Sequence, residues 1–147
     1  MVKKHRRGWT AVGGILIAGV LWYLRDPSWI ASQTTGLFDW EQAADGTRFR
    51  WAAPHASFFV PSDASEAHLR IATTFDEHGA EPMLVTISVD DVRTARLVIT
   101  DAAWREVIVP LPPQGSRHER RIDIHANPTR EDNRAVRLGD VNLTRAP

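Results

Sequence analysis

Three tryptophans stand in short segments that also contain charged residues, a combination that could bind a sugar. Flat aromatic rings pack on pyranose faces, while Asp, Asn and Arg side chains form hydrogen bonds with sugar hydroxyls. A Trp in an alternating strand usually fills a core, and packing is the alternative that we expect for Trp51 and Trp104. Trp40 lies between two acidic residues and is the better surface candidate. The predicted glycan-binding residues are Asp39, Trp40, Arg50, Trp51 and Trp104.

Residues that could catalyse a reaction or bind a metal show no recognisable grouping. The histidines lack the His-x-His and His-x-x-x-His spacings of metal sites, and the absence of cysteine excludes thiolate catalysis and cysteine-ligated zinc. Asp123 and His125 share one face of a predicted strand and could form an acid–base pair, although a solvated strand face is the commoner explanation. We predict no catalytic residue, metal site or cofactor, with a structural calcium between Asp-containing turns as an open alternative.

Short alternating segments separated by Gly, Pro, Asp and Asn predict that strands position these side chains. Met83, Val85, Ile87 and Val89, for example, fall on one face of a strand. The pattern predicts an all-β fold, a jelly-roll-like antiparallel β-sandwich, with a closed barrel as the competitor. The predicted strands are 37–41, 48–51, 56–60, 68–72, 83–89, 96–100, 104–109, 121–126 and 137–144.

An uncharged run from Gly8 to Leu24 precedes the strands. Its 17 residues would form a helix of roughly 25 Å, near the lower limit for crossing a hydrocarbon core of about 30 Å. Trp9 and the pair Trp22–Tyr23 would lie at the two headgroup levels. The run therefore predicts a single N-terminal transmembrane helix, an uncleaved signal anchor, with a cleaved signal peptide as the alternative.

Charge asymmetry predicts how the chain is oriented. Residues 1–7 contain four Lys or Arg and no acid, which favours a cytoplasmic N-terminus and an extracytoplasmic C-terminal part. We expect a cytoplasmic basic tail (1–7), a transmembrane signal anchor (8–25), a tether (26–36) and an extracytoplasmic β-sandwich domain (37–147), all held at the cytoplasmic (inner) membrane. Small side chains at Thr10, Gly14 and Ala18 predict a face on which another helix could pack.

The extracytoplasmic part is mildly acidic, since residues 8–147 contain 14 Arg against 18 Asp and Glu. This balance argues against nucleic acid as a partner. The lipid bilayer is the partner that the N-terminal run implies.

Four segments resemble a known envelope domain. The series Arg48-Phe49-Arg50-Trp51, 84–91, 103–112 and Asp132-Asn133-Arg134 resembles the jelly-roll, carbohydrate-binding-module-like β-sandwich attached to bacterial membrane glycosyltransferases and envelope polysaccharide proteins. The chain departs from that family in the later position of Leu138-Gly139 and in lacking the multi-spanning catalytic part. The resemblance implies a sandwich that accompanies a membrane glycosyltransferase or another envelope membrane protein and contacts glycan.

These observations predict a membrane-anchored, non-catalytic accessory module in envelope glycan or polysaccharide synthesis or export. Two alternatives stay open. One is a protein-binding structural subunit of a membrane complex, which a large apolar patch or an uncovered sheet edge would favour. The other is a small hydrolase or lyase of envelope polysaccharide, which would need convergent carboxylates or a His–carboxylate pair in a cleft.

Overall fold

Eight β-strands follow an N-terminal helix in the computed structural model, which describes residues 6–25, 27–73, 82–112, 117–127 and 132–145. The chain divides into two units, residues 1–30 and 31–147, and each is described by itself. The helices are α1 (Arg6–Arg25) and a short 3-10 helix (Ser28–Ser32). The strands are β1 (Thr34–Gln42), β2 (Arg48–Pro61), β3 (Ala64–Ala72), β4 (Met83–Val89), β5 (Val92–Ile99), β6 (Arg105–Pro110), β7 (Glu119–Asn127) and β8 (Val136–Arg145).

The uncharged N-terminal run forms α1, and its large apolar side chains from Val12 to Tyr23 are exposed. In the part of the chain that the structure describes, no helix combines the length and the apolar character that a membrane crossing requires. The predicted transmembrane span is therefore not supported. Arg6, Arg7 and Arg25 occupy the two ends of α1, outside the uncharged run of 17 residues, which is near the lower limit for a span. Most of the predicted basic tail lies outside the described residues.

Helical spacing places the positions of Thr10, Gly14 and Ala18 on one side of α1. Gly14 and Ala18 are exposed, and a Cβ added at Gly14 would meet nothing within 4 Å. The helix-pairing face stays a prediction. The first strand begins at Thr34, inside the segment predicted as a tether.

The strands pair in antiparallel ladders in the order β5-β4-β7-β2-β8-β3-β6, with β1 paired to β2. Strand β2 belongs to two sheets, because Arg50–Ala52 pair with β8 and His55–Pro61 pair with β7. We call these the β8 sheet, which also contains β3 and β6, and the β7 sheet, which also contains β4 and β5. Contact between β5 and β6 brings the arrangement close to a barrel. The predicted antiparallel β-sandwich is confirmed.

Pro54 marks the point where β2 changes sheets. The sequence predicts two strands here because proline lacks an N–H and interrupts a ladder. That prediction is wrong, since one strand runs through Pro54. The missing donor is tolerated because Pro54 lies between Ala52, the last residue paired with β8, and His55, the first paired with β7. Gly36 faces this bend at φ +66°, and a Cβ there would lie 2.1 Å from the carbonyl oxygen of His55.

The core consists of inward side chains from both sheets. Met83, Val85, Ile87 and Val89 of β4 are all buried, as their alternation predicts. Burial of such side chains, at about 25 cal/mol per Å² of apolar surface, is the main term that holds the sheets together. Other core residues are Ala52, Phe58, Leu69, Ile71, Ile99, Val109, Ile122, Ile124, Val136 and Leu138.

Candidate functional site

A β-bulge in β1 places Trp40 on the core side of the β8 sheet. Leu37 pairs with Ala52 and Trp40 pairs with Arg50, so a step of three positions along β1 matches a step of two along β2. Ala52 belongs to the core, and Leu37 packs against it. Arg50 lies two positions from Ala52 and shares its face, and Trp40 therefore shares this face as well.

Trp40 extends that face beyond the end of the core. The main core cluster contains no described residue of β2 before Ala52, so Arg50 and Arg48 lie on the core side beyond that cluster. The Trp40 side chain is 39% exposed. The Cζ atoms of Arg48 and Arg50 lie 4.2 Å and 4.8 Å from the centroid of its ring, within cation–π distance. We call Trp40, Arg48 and Arg50 the Trp40 patch.

Among the described residues, the two guanidinium groups of the patch have no anionic partner within ion-pair distance. In the described part of the chain, neither forms an ion pair or a hydrogen bond, and Nε of Arg50 is buried without an acceptor. Arg50 pairs with the fully buried Leu138 of β8, so one side of it is apolar. Burial lowers the pKa of Arg50, and the like charge of Arg48 lowers it further, against a smaller opposing effect of Asp140. The patch thus presents an exposed ring with unused cationic donors.

Three of the five predicted glycan-binding residues come together here. Trp40 and Arg50 are cross-strand neighbours, and Asp39 lies exposed in the bulge beside Trp40. Arg48 is not among the predicted site residues. It lies two positions before Arg50, and strand alternation places the two side chains on one face, so this spacing could have predicted it. Trp51 and Trp104 lie elsewhere.

Trp51 and Trp104 belong to a second aromatic cluster, on the opposite side of the β8 sheet. Trp51 alternates with Arg50 and Ala52 along β2 and therefore faces away from the core. Guanidinium groups alternate with rings, with Arg134 5.7 Å from the Trp51 centroid and Arg137 5.3 Å from the Trp104 centroid. We call this cluster the arginine ladder. Its members are Phe38, Phe49, Trp51, Arg70, Trp104, Arg134 and Arg137.

Contacts within the protein hold much of the arginine ladder in place, although Nε of Arg137 is buried without an acceptor in the described residues. Arg134 Nη1 lies 3.4 Å from a carboxylate oxygen of Glu41, and Arg137 Nη2 donates to the Thr73 carbonyl at 3.2 Å. Trp51 is only 8% exposed, although it lies outside the main core cluster. Both rings contact neighbouring aromatic and arginine side chains, as the packing alternative for Trp51 and Trp104 predicts. Trp51 is thus buried, whereas Trp104 is half-buried.

A small cavity of about 320 Å³ lies on the outer side of the β7 sheet. His55 and His125 are cross-strand partners there, with ring centroids 4.5 Å apart in an edge-on contact. Thr86 and Asn127 contribute the other polar side chains of the cavity. Seventy positions separate the two histidines, so no local spacing in the sequence could have predicted this pair.

A larger cavity of about 820 Å³ lies beside the β4–β5 turn, which the sequence predicts at Asp90-Asp91. Its buried cation, Arg120, is 4% exposed and donates from Nε to Asp90 at 3.1 Å and from Nη1 to the Pro112 carbonyl. The other carboxylate oxygen of Asp90 accepts the Arg121 N–H at 3.0 Å. These contacts therefore connect the β4–β5 turn to β7. Asp90 and Asp91 of this turn both have positive φ.

The suggested acid–base pair of Asp123 and His125 does not form. Asp123 accepts a hydrogen bond from Arg121 Nε at 3.0 Å, a contact that raises the pKa of Arg121, whereas His125 contacts His55. Another histidine, His68, lies between carboxylates, with Nδ1 2.9 Å from Glu106. Among the residues that the structure describes, no three His, Asp or Glu side chains are grouped so that they could hold a metal ion.

Comparison with known proteins bears on the fold. No family model matches the chain, and neither does any curated protein. Among solved structures, a family GH115 4-O-methyl-α-glucuronidase with specificity for decorated arabinogalactans matches at a TM-score of 0.50 and 14% identity, over 81% of this chain and 17% of that one. A family two carbohydrate esterase from Cellvibrio japonicus matches at 0.49 and 16% identity, over 79% and 32% of the two chains.

A salicylyl-acyltransferase from a tetracycline biosynthetic pathway matches at a TM-score of 0.48 and 19% identity, over 76% of this chain and 36% of that one. The chain thus spans well under half the length of each of these structures. At such identities the similarity concerns the fold alone. The match to the glucuronidase structure supports the fold that the resemblance implied, a jelly-roll-like β-sandwich.

Proposed function

We propose that this protein is a non-catalytic carbohydrate-binding module and that the Trp40 patch is its binding site. The observation that carries the proposal is an exposed indole beyond the last core residue of β2, flanked by two guanidinium groups that have no carboxylate partner among the described residues. An exposed aromatic ring with converging polar groups is the arrangement that a sugar requires, since the ring takes the apolar face and the donors take the hydroxyls.

Binding would rearrange the arginines of the patch. Arg48 and Arg50 now lie over the ring, where they compete with a pyranose for the same apolar surface. Both side chains are long, and a bound sugar gives their N–H groups hydroxyl acceptors that they lack in the free protein. The exchange replaces two exposed cation–π contacts with ring stacking and hydrogen bonds.

We further propose that the module serves envelope glycan or polysaccharide synthesis or export, beside a membrane glycosyltransferase or another envelope membrane protein. The sequence resemblance supports this role, and the basic N-terminus supports an extracytoplasmic sandwich. Contact of α1 with the lipid bilayer belongs to the same proposal, because its apolar side chains are exposed. Cell fractionation with protease treatment of spheroplasts tests the location. Full protection of the β-sandwich until lysis would contradict it.

A glycan array probed with the full-length protein tests the binding function. We expect wild type to bind and Trp40→Ala to lose binding. Trp22→Ala is the matched control, since Trp22 is also exposed but lies in α1. A folded wild-type protein that binds no glycan on a broad array would contradict the proposal, as would equal binding by Trp40→Ala.

A protein-binding subunit is the second candidate function. It is favoured by exposed apolar side chains at the two ends of the strand order, Val92 and Val98 on β5 and Ile108 on β6. Edge strands with exposed apolar residues are common docking surfaces. Val98→Asp would abolish complex formation under this alternative and leave glycan binding unchanged under our proposal. Co-purification of the tagged variants from membranes separates the two.

The third candidate, an envelope polysaccharide hydrolase or lyase, lacks a supporting arrangement in the described residues. Glycoside hydrolysis commonly uses two carboxyl groups that face one cleft, and such pairs lie about 5 to 9.5 Å apart. Asp123 is committed to Arg121, and Asp90 to Arg120 and Arg121. Release of reducing ends from any bound polymer would favour this candidate over ours.

A further inference from the structure

The arginines of the sandwich divide into two groups. In the first, the guanidinium group lies in ion-pair contact with a carboxylate, as for Arg120 with Asp90 and Arg134 with Glu41. Other members of this group are Arg105, Arg121 and Arg145. In the described part of the chain, the second group has no such carboxylate. Its members are Arg48, Arg50, Arg70, Arg93, Arg96, Arg117 and Arg137. Arg48 and Arg50 lie two positions apart on one face of β2.

The pairing of Arg48 and Arg50 is electrostatically unfavourable in the free protein. Both carry a positive charge, and both stand within 5 Å of the same ring centroid. Arg50 is also partly desolvated between Trp40 and Leu138, with a buried Nε that lacks an acceptor. An unsatisfied buried donor and a like-charge contact each cost free energy that an anion in the same place would recover.

We propose that the glycan bound at the Trp40 patch is anionic, a pyranose that carries a carboxylate or a phosphate. The sugar ring stacks on Trp40 while the anionic substituent lies between the guanidinium groups of Arg48 and Arg50. Arginine suits this task because its planar fork of N–H groups matches both carboxylate and phosphate oxygens. This inference rests on the proposed function and specifies its ligand class.

The geometry also predicts how affinity should depend on charge. Hydrogen bonds to an ionised acceptor are roughly twice as strong as neutral ones, and removing one charged donor costs about tenfold in affinity. Arg48 is exposed, so its contribution should weaken with ionic strength. Stacking on Trp40 should not depend on salt.

The test compares ligands whose main difference is the presence of a negative charge. Binding of the full-length protein is measured by biolayer interferometry to oligogalacturonate and its fully methyl-esterified form. The phosphate arm uses mannose 6-phosphate oligosaccharide and its dephosphorylated form. We expect at least one anionic member to bind about ten times more tightly than its neutral counterpart, and the difference should shrink at high salt. Equal binding of acid and neutral forms would overturn the inference.

Three variants assign the effect to the patch. Arg48→Gln should lower affinity for the anionic ligand about tenfold and affinity for the neutral form by a smaller factor, since Gln keeps an amide donor for a hydroxyl. Arg50→Lys keeps the positive charge but loses the planar fork of N–H donors. It should lower the affinity for the anionic ligand by a smaller factor. Arg96→Gln removes the same charge from an exposed position on β5 and should change neither. Equal losses in Arg48→Gln and Arg96→Gln would contradict the assignment.

The outcomes separate this inference from the proposed function. Binding of neutral glycans that Trp40→Ala abolishes, without any preference for the anionic member, would leave the carbohydrate module in place and overturn only the anionic ligand. Failure to bind any neutral or anionic glycan would overturn the module itself. If the wild-type protein binds the anionic ligand and Arg48→Gln binds it more weakly, both the proposed function and the anionic ligand class are supported.

Discussion

The Trp40 patch and the arginine ladder contain the same two residue types on opposite sides of one sheet. In the ladder, rings such as Trp51 are buried, and Arg134 has a carboxylate partner while Arg137 has a carbonyl partner. In the patch, the ring is exposed and neither guanidinium has a partner among the described residues. Trp–Arg stacking thus serves packing where the ring is buried and leaves binding capacity where the ring is exposed.

The largest expected difference between the two regions is in stability. Trp51→Ala should lower the free energy of unfolding by about 3 to 5 kcal/mol, because it removes a large buried ring that contacts Phe49 and Arg134. Trp40→Ala should stay within about 1 kcal/mol of wild type, since its ring is exposed. Urea denaturation measures both. Similar losses in the two variants would erase the distinction between ladder and patch.

Close packing in the ladder can be tested without touching an aromatic ring. A Cβ at Gly139 would lie 3.1 Å from Cβ of Arg70 and 3.7 Å from the Trp104 ring. Gly139→Ala should therefore lower the free energy of unfolding by about 1 to 2 kcal/mol through overpacking. A variant as stable as wild type would show that the ladder has room to move, contrary to our account.

Removing one arginine from each region should change stability in opposite directions. Arg134→Gln loses its ion pair with Glu41 and its contacts with two rings, and we expect a loss of about 1 kcal/mol. Arg48→Gln removes a like charge beside Arg50 and should leave the melting temperature unchanged or slightly higher. Thermal unfolding of both variants at low salt makes the comparison. A larger loss in Arg48→Gln would contradict it.

The smallest effect concerns the hairpin that carries Trp40. In its turn, Asp45 accepts a hydrogen bond from the Thr47 N–H at 2.9 Å, and this bond lowers the pKa of Asp45 below its ordinary value. A lowered folded-state pKa means that the stabilisation is complete above the ordinary Asp pKa and is lost as the pH falls through the folded-state value. Asp45→Asn should flatten the acid limb of stability slightly. An unchanged acid limb would argue against a role for this turn.

Much of the fold could be predicted because strand alternation is a local property. The four inward residues of β4 and the hairpin around Gly46 follow from spacing and turn chemistry alone. The continuity of β2 through Pro54 could not be predicted, because it depends on a change of partner strand that involves distant parts of the chain. The predicted transmembrane span was not supported, because no helix in the described residues combines the length and the apolar character that a membrane crossing requires.

The candidate site was predictable in part for the same reason. Trp40, Asp39 and Arg50 are near each other in sequence, and an exposed aromatic between acidic residues is a local signal. The face on which Trp40 lies depends on the bulge after Leu37, which only the pairing with β2 reveals. Phe49 is two positions from Trp51, but the cationic ladder partner Arg134 is 83 positions away, so the burial of Trp51 could be expected but not all of its surroundings.

The central claim is that the glycan contacts Trp40 and not the arginine ladder. NMR of the indole N–H groups in the full-length protein tests it most directly. Oligogalacturonate is titrated into ¹⁵N-labelled protein, and the resonances are assigned with Trp40→Phe, Trp51→Phe and Trp104→Phe. Our account predicts a saturable shift of the Trp40 indole resonance while those of Trp51 and Trp104 stay in place. Saturable shifts at Trp51 or Trp104 without one at Trp40 would contradict it.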